Sequence, residues 1–309
     1  MSGGRPLVSI VIPSYNQGRF LDETLRSVLD QDYPHLEVLV ADGGSRDESV
    51  EVIRRHESRL AWWASAPDRG QADALNTGFA RARGDLLGWV CSDDTLLPGA
   101  VSAVVEALER APGALLAYGH AQVVDGDGAA GGLLPSRPWD LAQMVRTCQN
   151  HVVQPGSLFT RRAWELAGPL TVDSHYYFDF ELVLRLALAG DAVLLDRPLA
   201  TYRLHAESKS TSGTLIKATD HQRLIDWLFA QPGLPPEVRA VQREARSRSQ
   251  LTAGEYYYAA GQVAKARACY LDGIRLHPAH LDARTAGLVA RTLLPGPLLQ
   301  RARAARGRA

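Results

Sequence analysis

The chain has 309 residues and a formal net charge of +0, from 34 basic and 34 acidic side chains. That length predicts one large domain with an appendage, or two domains. Because the charges balance, no global field attracts nucleic acid, and we expect no nucleic-acid partner. The 3 cysteines are scattered without a C-x-x-C pair, which argues against a disulfide scaffold or a structural zinc site.

The N-terminus runs directly into a short apolar strand, without the apolar core and cleavage site of a signal peptide. No apolar run approaches the roughly 20 residues that span a bilayer. We therefore expect a cytoplasmic protein, with a peripheral position at the inner face of the membrane as an alternative.

Short apolar strands alternate with helices through the first part of the chain. Ser45 and Glu48 form the S-x-x-E pattern of a capping box, which predicts a helix start. The alternation predicts βαβ units and thus an α/β fold, with a mostly parallel sheet and helices on both faces. The strand patterns are 7–12, 36–41, 60–63, 86–90 and 115–118, and the helical patterns are 20–29, 45–55, 72–82 and 98–108.

The pattern continues with a helix over 179–189 and strands over 192–195 and 199–204. From Thr214 onward the chain is almost wholly helical. We therefore predict a first domain over residues 1–212 and an all-helical extension over residues 213–309.

Three predicted strands are followed directly by segments rich in polar side chains or glycine, at residues 13–16, 42–44 and 92–94. Ligands of parallel α/β sheets bind outside the carboxyl ends of the strands. The three segments therefore predict a binding site at one edge of the sheet.

Asp93 and Asp94 are adjacent carboxylates that repel one another unless a cation or hydrogen-bond donors balance them. A hard divalent ion such as Mg²⁺ or Mn²⁺ takes carboxylate oxygens and leaves sites open for phosphate. The alternative is that one of them caps a helix after Thr95. His205 follows the last strand and is either a structural histidine or a further ligand of such an ion.

Two more carboxylates have open interpretations. Asp42 ends the second strand, and its side chain either binds a nucleobase or ribose or holds its own turn. Asp179 opens a helix and is either its N-cap or a general base. Glu181 is two residues further on, so the two carboxylates do not share a helical face.

Together these segments resemble a family 2 glycosyltransferase, a nucleotide-sugar-dependent inverting enzyme with a Rossmann-like nucleotide-sugar-binding domain. The resemblance runs from Val8 to about Ser210. It rests on six segments in the family's order, at residues 8–16, 27–34, 37–45, 67–76, 84–94 and 178–186.

The resemblance implies roles for the residues around the donor nucleotide. Asp42 matches the residue that binds the nucleobase, usually uracil, and Pro13 and Tyr15 match the lining of the nucleotide pocket. Asp73 and Asn76 fall in a stretch that borders the donor. A nucleoside-diphosphate sugar, most often a UDP-sugar, is therefore the expected donor.

The resemblance also implies the reacting groups. Asp93 and Asp94 match the acidic motif that holds the metal of the donor diphosphate, and Asp93 would also contact the donor. Asp179 matches the catalytic base. The chain departs from the family at Cys91, where many relatives have Asp, and at Phe178, where they often have Glu. The departure at Cys91 leaves open whether Asp93 or Asp94 ligates the metal.

The expected reaction is a single displacement with inversion, onto a hydroxyl of a glycan or glycolipid acceptor in surface polysaccharide or glycoconjugate assembly. Mn²⁺ or Mg²⁺ is the expected cofactor. Two alternatives remain open from the residues: a sugar-nucleotide pyrophosphorylase, and a non-catalytic scaffold with a relict nucleotide-sugar domain.

The helical extension resembles one tetratricopeptide hairpin over about residues 247–280. One such motif cannot bury its own face, so we expect it to pack on the preceding helices or on another chain. The motif positions are Gly254, Tyr257, Gly261, Ala266, Tyr270 and Pro278.

The last residues form a basic tail with no acid, carrying Arg301, Arg303, Arg306 and Arg308. The tail is either solvated or contacts acidic lipid or a partner protein.

Overall fold

The computed structural model describes residues 4–208 and 214–294, which form two compact units. One unit contains the described residues of Met1–Trp139 and Asn150–Ser208, and the other contains those of Asp140–Gln149 and Lys209–Ala309. The predicted domain boundary after residue 212 and the basic tail lie outside the described residues.

The first unit is built on one sheet. Its strands are β1 (Val8–Ser14), β2 (Leu36–Asp42), β3 (Trp62–Ser65), β4 (Leu86–Trp89), β5 (Thr95–Leu96), β6 (Leu116–Asp125), β7 (Ala130–Leu134), β8 (Leu158–Thr160) and β9 (Ala192–Leu204).

Twelve helices occur in the described ranges, and α5 and α8 to α12 belong to the second unit. They are α1 (Gly18–Leu29), α2 (Ser49–His56), α3 (Gln71–Phe79), α4 (Ala100–Arg110), α5 (Leu141–Thr147), α6 (Arg161–Ala167), α7 (Phe178–Ala189), α8 (Thr214–Ala230), α9 (Pro236–Ala240), α10 (Gln242–Ala259), α11 (Val263–Leu276) and α12 (Ala283–Arg291). Short 3-10 segments occupy Glu57–Arg59 and Pro278–His280.

The strand order is β3-β2-β1-β4-β8-β6-β9-β5, and β7 pairs with β6. The β1–β2, β2–β3 and β1–β4 pairs are parallel, as the alternation of strands and helices in the sequence predicted. β8 runs antiparallel to both β4 and β6, and β5 runs antiparallel to β9. The predicted α/β fold with flanking helices is confirmed. The sheet was expected to be mostly parallel, and it is mixed: β6 and β9 form a further parallel pair, and every pair that involves β5, β7 or β8 is antiparallel.

Alternation along β1 explains how helices cover both faces of the sheet. Ile10 and Ile12 belong to the core cluster that includes Leu21 and Leu25 of α1. Val11 points the other way, because successive side chains of a strand alternate between faces. A Cβ on Gly78 of α3 would lie 2.4 Å from Val11 Cγ1, so glycine is what lets α3 approach this close to β1.

The capping box predicted at Ser45 is wrong. The helix α2 begins at Ser49, and Glu48 makes no side-chain cap. Ser45 instead hydrogen-bonds the Asp42 carboxylate, and its oxygen accepts from Asn16 N at 2.8 Å. Contacts with a neighbouring loop therefore override the local S-x-x-E signal.

In the second unit, α5 contributes two fully buried side chains, Met144 and Val145, and packs against α9 and α10. Cys148, just after α5, donates from its thiol to Ala245 O at 3.3 Å. The sequence analysis placed this short segment in the first domain, because seven helical residues carry no local signal of which core they join. Helices α10 and α11 also pair; their assignment as a tetratricopeptide motif stays a prediction.

Candidate functional site

The carboxyl ends of four parallel strands meet at one edge of the sheet. In the strand register, Ser14 of β1 lies beside Asp42 of β2, and Asp42 lies beside Ser65 of β3. β4 pairs with the other side of β1, and Val90 N donates to Val11 O at 3.1 Å just before the acidic segment. The three polar segments therefore share the edge that the sequence predicted.

Asp42 is buried and organises its own turn. Its Oδ2 accepts hydrogen bonds from Gly44 N at 3.1 Å, Ser45 N at 2.9 Å and Ser65 Oγ at 2.6 Å. The Ser45 hydroxyl donates to Oδ1. The turn-holding interpretation of this residue is thus what the structure shows, and Oδ1 is the oxygen that keeps acceptor capacity for a ligand.

Asp68 lies beside this turn and was missed by the sequence analysis. A Cβ on Gly43 would lie 2.9 Å from Asp68 Oδ2, and Gly70 N donates to Asp68 Oδ1 at 2.7 Å. Burial, together with the charges of Asp73 and Asp42, raises the pKa of Asp68, while the bond from Gly70 lowers it in part. The signal that could have found it is its place in the Pro-Asp-Arg-Gly segment before α3.

Tyr15 is 61% exposed, whereas Pro13 before it is buried in β1. The loop is fixed on the far side of Tyr15 by Asn16, whose φ is 52°. Asn16 N donates to Ser45 Oγ, and Asn16 Oδ1 accepts from Arg46 N at 2.9 Å. The exposed ring therefore stands on a loop tied to the Asp42 turn, a suitable position for stacking on a flat ligand.

Asp73 and Asn76 are occupied by protein contacts on α3. Asp73 Oδ1 lies 3.0 Å from Arg69 Nη2, and this hydrogen bond lowers the pKa of the carboxyl. Asn76 Nδ2 donates to Leu170 O at 2.9 Å, and its Oδ1 accepts from Leu170 N at 2.8 Å. Asn76 thus fixes the segment before α7, and its amide is already paired on both sides.

Asp93 and Asp94 lie in different environments. Asp94 is 3% exposed, and its Oδ1 accepts from Arg203 N at 2.8 Å. Burial and the neighbouring Asp93 charge raise the pKa of Asp94 well above its usual range. The Asp93 side chain is more accessible, and its Oδ2 lies 3.0 Å from His205 Nε2. Asp93 is therefore the more accessible of the two carboxylates, and it pairs with the largely buried side chain of His205.

The helix-capping interpretation of the acidic pair is wrong. The strand β5 follows directly at Thr95–Leu96, and α4 begins only at Ala100, with Gly99 at the N-cap position. The two carboxylates are consequently loop residues held by tertiary contacts.

Arg203 holds this loop and was missed by the sequence analysis. Its side chain is 3% exposed, and its Nε donates to Asp93 O at 2.9 Å. Its Nη2 lies 2.7 Å from Glu23 Oε2, and its guanidinium stacks over Phe20 at 5.0 Å from the ring centroid. The same ring packs on His205, with centroids 4.7 Å apart. The available signal was its place two residues before His205.

The donor atoms around the acidic pair suit a divalent cation. Ligand atoms of Cys91, Asp93 and Asp94 lie within 4.8 Å of one another. Gln71 Nε2 lies 3.2 Å from Cys91 Sγ. Two carboxylates with a nearby imidazole at His205 form a donor set of the kind that Mn²⁺ or Mg²⁺ takes.

Asp179 lies in the first turn of α7 and lines a small hollow with Trp89, Asn150 and Gln154. Gln154 connects this hollow to the end of β4. Its Nε2 donates to Trp89 O at 2.6 Å, and its Oε1 lies 3.8 Å from Cys91 Sγ. Gln154 thus lines the hollow that contains Asp179 and also contacts Cys91 beside the acidic pair.

The neighbouring carboxylate has a structural position. Glu181 is buried and ion-pairs with Arg185, and Thr171 Oγ1 donates to it at 2.6 Å. Tyr177, not Asp179, occupies the N-cap position of α7. Of the two carboxylates, Asp179 is thus the one that faces the hollow.

Comparison with known proteins gives a family match. The model of glycosyl transferase family 2 matches residues 9–165, about half of the chain. The chondroitin synthase of Escherichia coli is 24% identical over 231 residues, which are 74% of this chain and 33% of that protein. The chain thus spans a third of the length of this relative.

Two solved structures have a similar fold. The mannosyltransferase PcManGT from Pyrobaculum calidifontis, in complex with GDP-Man and Mn²⁺, aligns with a TM-score of 0.61 at 19% identity, covering 93% of this chain and 79% of that one. TarS residues 1–349 from S. aureus, in complex with UDP-GlcNAc, align with a TM-score of 0.65 at 15% identity, covering 96% and 87%. Among the described helices of this chain, none has the length and apolarity to cross a membrane.

Proposed function

This chain belongs to glycosyl transferase family 2 and is a glycosyltransferase, and from that premise we propose that it moves a sugar from a UDP-sugar to an acceptor hydroxyl with inversion. The observation that carries the proposal is the meeting of Asp42, Asp93 and His205 at one sheet edge, with Asp179 in an adjoining hollow.

The Asp42 end of the edge would bind the nucleotide. Its Oδ1 keeps acceptor capacity toward uracil N3–H, because the Ser45 hydroxyl is its one donor among the described residues. The exposed Tyr15 ring would stack on the base from the adjacent loop, and Pro13, buried in β1, would line the same pocket. The complex of TarS with UDP-GlcNAc supports a uridine nucleotide as donor.

The acidic segment would hold the metal and the diphosphate. The partly exposed Asp93 carboxylate, with the His205 imidazole 3.0 Å from it, would offer the ligand atoms, and the buried Asp94 would hold the loop through its bond from Arg203 N. A bound Mn²⁺ or Mg²⁺ would neutralise the negative charge that grows on the departing diphosphate. Mn²⁺ in the mannosyltransferase complex supports this assignment.

Asp179 would act as the general base. Its carboxylate takes the proton of the acceptor hydroxyl while that oxygen forms its bond to the anomeric carbon. The bond from the anomeric carbon to the diphosphate breaks on the opposite side, so the configuration inverts and UDP leaves. Gln154 lines the same hollow as Asp179 and contacts the end of β4, which supports a position of the base near the donor end of the site.

The acceptor would be a glycan or glycolipid in the assembly of a surface polysaccharide or glycoconjugate. The chondroitin synthase relative supports a growing polysaccharide as the acceptor. We further propose that the C-terminal helices contact a partner protein or a membrane surface, which would bring the enzyme to a lipid-linked acceptor at the inner face of the membrane.

Release of UDP from a panel of UDP-sugars with Mn²⁺ and candidate acceptors tests this function. Asp179→Asn should lower turnover at least about a hundredfold, since general base catalysis contributes that much, while donor binding is kept. Asp173→Asn, at an exposed aspartate before α7, is the matched control and should keep full turnover.

The alternatives release no UDP in this assay, and a second assay with UTP and a sugar phosphate separates them. A pyrophosphorylase would release pyrophosphate from UTP and a sugar phosphate, and a scaffold would bind nucleotide or glycan without turnover. Full activity of Asp179→Asn would exclude Asp179 as the base.

A further inference from the structure

A second cluster of ligand-type side chains lies in the helical unit. Glu244 lies in the first turn of α10, and His277 and His280 flank the turn that follows α11. Ligand atoms of the three side chains lie within 4.8 Å of one another. The two imidazole rings contact each other, with centroids 4.5 Å apart.

The hydrogen bonds of His280 define its tautomer. The Ser247 hydroxyl donates its one proton to Gly273 O at 2.7 Å. Because that proton is used, the 2.7 Å bond between Ser247 Oγ and His280 Nδ1 has Nδ1–H as its donor. The neutral ring therefore carries its lone pair on Nε2. This buried atom has no hydrogen-bond partner among the described residues.

The lone pair of His280 faces a carboxylate that is already anchored. Glu244 Oε1 lies 3.9 Å from His280 Nε2, too far for a hydrogen bond. Arg146 Nη1 donates to the other oxygen, Oε2, at 3.1 Å. Arg248 Nη2 lies 3.8 Å from Oε1, which is a long charge contact. Two acceptor atoms thus face each other across a gap that a cation would bridge.

We propose that Glu244, His277 and His280 bind a zinc ion that ties α10 to the turn after α11. Two imidazoles and one carboxylate, with water in the fourth position, are a common open zinc donor set. Ligand atoms on a tetrahedral zinc are about 3.3 Å apart, so Glu244 and His280 need to close by only about 0.6 Å. The cation would replace Arg248 as the charge partner of Oε1.

Ser247 would be a positioning residue of this site. A histidine that ligates a metal almost always donates its other ring N–H to an oxygen, which fixes the ring and its tautomer. The chain from His280 through Ser247 to Gly273 O has that form. This hydrogen-bond chain lies where α10 and α11 pack closely. A Cβ on Gly273 of α11 would lie only 3.0 Å from Ser247 O of α10.

Equilibrium dialysis of the full chain against zinc chloride, with bound metal counted by mass spectrometry, tests the site. An Asp93→Asn background weakens cation binding at the end of β4, and no sugar donor is present, so the change in zinc binding caused by the histidine variants is independent of the proposed transfer reaction. The chain should bind a single equivalent of zinc and no Mg²⁺ at this site, because imidazole favours zinc over magnesium.

His277→Gln and His280→Gln should each weaken zinc binding at least about tenfold, and Ser247→Ala should weaken it about 10–100-fold. His35→Gln, at an exposed histidine before β2, is the matched control and should bind zinc as the parent does. If His280→Gln does not fold, as judged by circular dichroism, His277→Gln decides the outcome. Unchanged zinc affinity in His277→Gln, or no zinc bound by the parent, overturns the proposal.

Discussion

At the residue scale, the adjacent residues Asp93 and Asp94 differ in burial and in their hydrogen-bond partners. Asp94 is buried and bonded to the backbone of Arg203, and its burial raises the cost of its charge. Asp93 faces His205 and remains accessible. We therefore propose Asp93, rather than Asp94, as the direct ligand of a metal bound with the donor, a choice that the sequence left open.

Asparagine substitutions of the two aspartates test this division. Asp93→Asn should weaken Mn²⁺-supported UDP binding at least about tenfold, because a charged ligand is lost, with little effect on folding. Asp94→Asn should keep most of that binding and leave the metal-free protein equally or more stable, because it removes a buried charge and retains the acceptor for Arg203 N.

Titration calorimetry with and without Mn²⁺, together with thermal unfolding, measures both effects. A larger loss of Mn²⁺-supported binding in Asp94→Asn than in Asp93→Asn would reverse the assignment.

At the scale of elements, the close packing of α10 on α11 requires glycine at Gly254 as well as at Gly273. A Cβ on Gly254 would lie 2.4 Å from Tyr270 Cε1 and 2.6 Å from its Cδ1. Tyr270 is fully buried, so its ring has little room to move. Glycine at this point of α10 is therefore required by close helix packing, although it weakens an isolated helix.

Gly254→Ala should destabilise the second unit by about 1–3 kcal/mol, because an added methyl group overpacks a closed contact. Gly287→Ala in α12 is the matched control, since its Cβ would meet nothing within 4 Å. That change should be neutral or stabilise by up to about 1 kcal/mol, because alanine favours the helix. Urea unfolding followed by circular dichroism measures both variants, and equal effects would contradict this account of the packing.

At the scale of the whole molecule, the second unit contains a buried histidine whose charged form is disfavoured. His221 of α8 is 2% exposed, and burial lowers its pKa to about 4, although a backbone bond involving Cys148 raises it in part. Ser249 Oγ lies 3.0 Å from its Nδ1. His221 is thus neutral near pH 7 in the core of the second unit.

The depressed pKa predicts acid sensitivity of that unit. Between about pH 6.5 and pH 4 the unfolded state binds a proton at His221 that the folded state does not bind, so stability falls as the pH falls through this window. The loss should approach about 3 kcal/mol at the acid end and be absent above the unfolded pKa. His221→Gln should unfold with a smaller pH dependence in urea titrations, whereas His35→Gln should behave as the parent; an unchanged slope in His221→Gln would contradict the assignment.

The sequence by itself determined the local elements and the edge of the sheet where the site lies. Apolar runs such as residues 7–12 and 36–41 specify strands through short-range patterning, and βαβ alternation leaves few topologies. Because parallel strands end on one side, Asp42 and Asp93 were predicted to share an edge before any contact was known.

Only the tertiary structure decided which side chains were already satisfied and which remained available. The bond from Arg203 N to Asp94 joins residues 109 positions apart, and that between His205 and Asp93 joins residues 112 apart. Tertiary contacts also explain why Ser45 bonds Asp42 and does not cap a helix, and why the Asn76 amide is paired with Leu170. Hydrogen bonds and burial depend on neighbours brought together by folding, and local sequence carries no record of them.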